Sequence, residues 1–187
     1  MKKRAPPLEL RNTRDGLKLD DLANDDKWQE VDNDLAVKLV NVPRARGDAL
    51  RSVVEEALEG LRQRDFGIAF LLWSRMYTST RPDFRNAAEP SVWRFARAHH
   101  IPHLKGVWRQ VPAPTREKFV HYVFAVYPGL PFELFATGKL PWGRTGFRYV
   151  PSLEIKALRD MVEQAGDPHD QELVRQLLEA YRDACER

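Results

Sequence analysis

Cysteine is almost absent from this chain. Cys185 is the only one and lies near the C-terminus. No disulfide can therefore close within the chain, and a reducing compartment is expected. Long apolar runs are missing too. One of the longest, Ile68 to Trp73, falls far short of the roughly 20 residues a helix needs to cross a bilayer. The basic start Met1-Lys2-Lys3-Arg4 is followed by Pro6-Pro7 and not by an apolar stretch, so a secretory signal is not expected and a cytoplasmic location is. Nucleotide-loop glycines are lacking. Thr137-Gly138-Lys139-Leu140 has neither the upstream glycine nor the Ser/Thr after lysine, which excludes a phosphate loop. No Gly-x-Ser-x-Gly elbow occurs, and Cys185 has no nucleophile setting, so hydrolase triads are unsupported.

Charge is abundant but segregated. The net value of +3 hides three blocks. Residues 15–34 carry eight acids against Lys18 and Lys27, a net of −6. Residues 61–122 carry eleven Lys/Arg against Asp65, Asp83, Glu89 and Glu117, a net of +7. Residues 152–187 return to −4, with nine acids against five bases. Segregation of this kind points to a polyanionic partner more than the total does. Four of the five histidines, His99, His100, His103 and His121, also fall in the basic block.

A length of 187 residues suits one domain with a real core. Residues 1–34 read as a polar, partly extended N-terminal arm, and residues 35–187 as a single globular domain. The acidic part of the arm is either a solvated run or an internal mimic of a polyanion. Leu35 to Val42 is rich in β-branched residues and stops at Pro43, which predicts a strand, with a hairpin partner within residues 25–33. Asp48 is placed to cap a helix carrying Leu50, Val53, Val54, Ala57, Leu58 and Leu61 at helical spacing. Phe66 to Met76 is apolar and fits a strand or a buried helix. A helix is predicted over Ala88 to His100, with Pro90 in its first turn and Pro102 at its end. Another begins at Thr115 and stops before Pro128-Gly129. Arg144 to Val150 reads as a strand. Two last helices follow, one from Ser152 to Gly166 and one capped by Asp167 with Pro168 first. The fold class expected is α+β: helix-rich, with a small mixed sheet.

The basic block carries the strongest functional signal. Arg85, Arg94, Arg97, Lys105 and Arg109 are candidate phosphate-binding residues, interleaved with Trp73, Tyr77, Phe84, Trp93 and Trp108. Guanidinium groups grip phosphate with two parallel hydrogen bonds, and aromatic faces stack on unpaired bases. The competing possibility is that the aromatics are core and the arginines pair with the acidic ends. His99, His100 and His103 invite a metal reading, a phosphate or acid–base reading, or an ordinary surface or core one. Pro102 interrupts their spacing and no cysteine or dense acid cluster adjoins, so no metal site is assigned.

Arg94-Phe95-Ala96-Arg97-Ala98, with Glu89 upstream, resembles the Arg-x-x-Arg-Ala phosphate motif of the ParB/sulfiredoxin superfamily. Ser91-Val92-Trp93 stands where that motif carries a Gly-Glu pair. In overall character the chain also resembles the small Osa-type fertility-inhibition proteins of conjugative plasmids. That resemblance implies a ParB/sulfiredoxin-like fold, ATP hydrolysis with a divalent cation, and cleavage of DNA. It also implies action near a type IV secretion coupling protein, with Arg94 and Arg97 on phosphate. Glu89 would then orient the arginines or act as base, and His99 or His100 would move protons. The competing function class is a non-enzymatic inhibitor or adaptor. It would dock on a secretion or plasmid partner through the acidic C-terminal helices and the aromatic loop Leu130 to Phe135.

Overall fold

The computed structural model describes residues 45–79, 82–129 and 149–186. They fall into two compact units that meet in sequence between Arg94 and Phe95.

The first unit begins with α1, Gly47–Arg64, whose Leu50, Val54, Ala57, Leu58 and Leu61 are buried at the spacing the sequence predicts. Its start lies one residue before Asp48: Arg46 is the cap residue, and Asp48 sits in the first turn, where a carboxylate favours the helix dipole. Asp65 ends α1 and starts α2, Phe66–Tyr77. Its N–H donates to the Leu61 carbonyl at 2.7 Å, and its carboxylate accepts from the Ile68 N–H at 3.0 Å. With both its neighbours helical and Asp65 as cap, the ambiguous apolar run becomes a helix. Gly67 to Ser74 and Met76 are all buried, which makes α2 the central element of this unit. Trp73 stacks between Phe70 and Tyr77, and its indole N–H donates to the Ala88 carbonyl at 2.9 Å. That bond holds the end of α3, Pro82–Ala88.

The helix expected over Ala88 to His100 does not form. α3 stops at Ala88, a 3-10 turn follows over Glu89–Arg94, and Ala98 to His100 are a turn. Pro90 and Pro102 each remove a backbone donor and disfavour α geometry in the residue before them, so the chain tightens into short turns.

The second unit opens with two more 3-10 turns, Ile101–Leu104 and Trp108–Gln110. Three helices follow: α4, Ala113–Val126; α5, Leu153–Ala165; and α6, Pro168–Glu186. Its core joins Phe95, Ile101, Leu104, Trp108, Phe119, Val123, Phe124, Ile155, Leu158, Met161 and Val174. α4 begins at Ala113 after Pro112, so Thr115 is a buried first-turn residue and not the cap. The caps of α5 agree with the sequence. The Ser152 hydroxyl accepts from the Ile155 N–H at 3.1 Å and donates to the Tyr127 carbonyl at 2.6 Å, and Gly166 closes the helix in the left-handed region at φ 71°. Asp167 caps α6, accepting from the His169 N–H at 3.1 Å. Gly129, at φ 67°, lies flat against the Val150–Ser152 backbone, where a Cβ would meet main-chain atoms.

The fold-class expectation is corrected. Among the described residues every regular element is helical and there is no strand, so neither an α+β architecture nor a ParB/sulfiredoxin-like sheet is present there. The strands expected over residues 35–42 and 25–33 lie outside the described residues, as does most of that over 144–150; Tyr149 and Val150 themselves form no strand. The aromatic loop Leu130 to Phe135 is outside them as well.

Candidate functional site

The sequence-derived site divides between the two units. Arg85, Glu89 and Arg94 belong to the first, and Arg97, His99, His100, Lys105 and Arg109 to the second.

In the first unit Arg94 is already engaged. Its Nη1 donates to Glu59 at 3.0 Å, and its guanidinium lies 5.0 Å from the centre of the Trp93 ring. Glu59 also accepts from Arg62 at 2.7 Å and Gln63 at 3.2 Å. The Arg62 hydrogen bond, more than any other influence, holds the Glu59 carboxyl below the usual carboxylate range, with partial burial opposing it. Arg85 and Glu89 are exposed on this unit. Arg75 is half-buried, and desolvation pulls its guanidinium below its ordinary value. Of the aromatics proposed for base stacking, Trp73 and Phe84 are core; Trp93 is 46% exposed.

In the second unit the segment following Phe95 is short of every acid. Residues 90–116 contain no Asp or Glu. Arg97, His99, His103, Lys105 and Arg109 are all exposed on it. Arg97 lies over the Tyr127 ring at 5.6 Å, and its charge reaches Tyr122, whose hydroxyl is pushed up chiefly by burial. Lys105 donates to Gln164 at 3.1 Å, and Arg109 Nη2 donates to the Gly166 carbonyl at 2.6 Å. Arg97, Lys105 and Arg109 therefore have neutral partners, and no carboxylate pairs with them among the described residues. The His99 and His100 rings lie 3.9 Å apart. Among the described residues no group of three His, Cys, Asp or Glu side chains comes together to hold a metal.

Beneath these cations is a buried polar knot. Asp170 has no exposed surface; one of its oxygens, Oδ2, accepts from Trp108 Nε1 and from Arg116 Nε, both at 2.7 Å. Arg116 also donates to Asp167 at 2.6 Å and to the Val111 carbonyl at 2.9 Å. Arg116, one of the sequence's basic block, is thus consumed by the acidic C-terminal helices, and Trp108 is an anchor and not a stacking face. Sequence reasoning missed this knot. Its one visible trace is Asp170 standing three residues after the cap Asp167, beside the dense arginines of the same chain.

A groove of about 410 Å³ between α5 and α6 is lined by Val162, Val174 and Leu178, with Arg159, Glu163, Glu172 and Arg175 around it. Its arginines are spent locally. Arg159 pairs with Asp160, and Arg175 with Glu172 and Glu179 at 2.6 and 2.7 Å. The Arg175 hydrogen bonds draw the Glu172 carboxyl down to about 2.

No helix among the described residues is long and apolar enough to cross a membrane. Comparison with protein-family models, characterised proteins and solved structures gives no match to this chain.

Proposed function

We propose that this protein binds nucleic acid by its phosphates, through the turn-rich segment 95–112 of the second unit. One observation carries this: Arg97, Lys105 and Arg109 stand exposed, each held by a neutral partner, on a stretch with no carboxylate of its own. Cations held in place by carbonyl, amide and ring partners keep their charge available, whereas ion-paired ones do not. The segment is also firmly seated. Trp108 is fixed to Asp170 between Lys105 and Arg109, and the apolar residues Ile101 and Leu104 are fully buried. His99 and His103 add protonatable groups to the same surface.

The test is a fluorescence-anisotropy titration of a labelled 20-base-pair DNA at 50 mM salt. The variant Arg97→Ala/Lys105→Ala/Arg109→Ala is expected to bind at least tenfold more weakly than the wild type, with unchanged circular dichroism. Lys156→Ala, which removes an exposed cation from α5, is expected to bind within about twofold of wild type. Equal affinity of the triple variant and the wild type would refute phosphate docking at this segment.

A second reading, docking on a protein partner, has its own observation. Val126, Val150 and Leu153 are exposed at 48%, 47% and 70% on either side of the Gly129–Ser152 contact. Leu153→Asp would then abolish capture of a purified partner and leave DNA binding intact.

A further inference from the structure

Given that phosphate-docking role, we infer that the surface takes duplex nucleic acid by its backbone alone and reads no base. Three features of the second unit point the same way. The first is the lack of a stacking face among the described residues. Phe95, Trp108, Phe119 and Phe124 are buried, Tyr149 and Tyr181 spend their hydroxyls on the Pro128 and Phe124 carbonyls, and Tyr127 lies under Arg97. Single strands are gripped largely by stacking on exposed aromatic faces, and among the described residues of this unit no Phe, Tyr or Trp ring is exposed, Tyr122, Tyr127 and Tyr181 being half-buried.

The second feature is side-chain chemistry. Base edges are read by Asn, Gln, Ser, Thr, Asp, Glu, Arg and Lys, and Lys105 has its ammonium on Gln164. Between Phe95 and Pro112 the only amide is Gln110, and there is no hydroxyl or carboxylate side chain. Arg109 has part of its guanidinium committed to the Gly166 carbonyl, and that of Arg97 lies over the Tyr127 ring, 5.6 Å from its centre. The third is shape. Entry into the major groove needs an α-helix or a two-stranded ribbon. Arg97 sits on a bend ahead of the first 3-10 turn, Lys105 on the turn between the two and Arg109 on the three-residue one, and such short turns present side chains to a convex backbone but do not fill a groove. What remains is charge against charge. A duplex, with about one phosphate charge per 1.7 Å of axis, is the form of nucleic acid that offers the most of it.

The experiment compares the full-length protein on four labelled probes at one salt concentration: an A·T-rich duplex, a G·C-rich duplex of equal length, a single strand of that length, and heparin fragments as a polyanion without bases. The two duplexes are expected to agree within about twofold, and the single strand to bind several-fold more weakly. Heparin is expected to compete with the duplexes and to be displaced by them. A tenfold preference for one duplex, or for the single strand, would overturn the inference while leaving phosphate docking standing. Failure of all four probes to bind would remove phosphate docking itself. Heparin binding with no binding of either duplex would overturn nucleic acid as the ligand.

Discussion

Removing the carboxylate of Asp170 is the most demanding perturbation the structure offers. Asp170 is completely buried and accepts two hydrogen bonds at 2.7 Å, one from an indole and one from a guanidinium. In Asp170→Ala the charge-assisted bond from Arg116, worth about 1.5–3 kcal/mol, is lost. The Trp108 N–H is left buried without an acceptor, which costs about 1–3 kcal/mol more. Arg116 retains Asp167 and the Val111 carbonyl, so its charge is not stranded. That holds the total near the lower part of the roughly 3–5 kcal/mol typical of breaking a buried pair. Asp170→Asn keeps the volume and one acceptor and is expected to cost about half as much. Native-state hydrogen exchange is the suitable assay, because the two units need not open together. Protection should fall across residues 101–126 and 153–186 and persist across 47–77. A loss under about 1 kcal/mol for Asp170→Ala would mean that the Trp108–Asp170–Arg116 knot does not hold the second unit together.

Other expectations are more local. Gly129 and Gly166 share the same left-handed backbone, yet Gly129→Ala should cost more than about 2 kcal/mol because its Cβ meets the Val150–Ser152 main chain. Gly166→Ala should cost about 1 kcal/mol, since its Cβ meets only the far end of the Arg109 side chain and no main chain; urea unfolding ranks the two. Ser152→Ala removes both the α5 cap and the hydrogen bond to Tyr127, for about 1–2 kcal/mol by the same method. Glu59 gives the first unit an acid limit. Its folded-state pKa is lowered, so its contribution is complete above the ordinary carboxylate range and is lost as pH falls through the lowered value. Urea unfolding between pH 7 and 3 should show a smaller loss on acidification in Glu59→Gln than in the wild type.

The sequence was most legible where local chemistry decides structure. Ser152, Gly166 and Asp167 with Pro168 each mark a helix end by side-chain reach or backbone freedom, and all three appear where expected. The apolar spacing of α1 likewise becomes core. Ala88 to His100 misled because its apolar positions have helical period, while Pro90 and Pro102 act against the backbone itself. The basic block misled in a different way. Arg94 and Arg116 look like Arg97 and Arg109 in sequence, but their acids are 35 and 54 residues distant, and only the fold brings them together. Which arginines are spent and which are free is a tertiary property. The same holds for Trp108, whose partner Asp170 is 62 residues away.

The most direct measurement of phosphate docking is the slope of log affinity for duplex DNA against log salt. Three cations at Arg97, Lys105 and Arg109 should each release a counterion, giving a slope of about −2.7 at pH 8, and each single alanine substitution should flatten it by about 0.9. A slope near zero in the wild type, or one unchanged when all three side chains are removed, would contradict it.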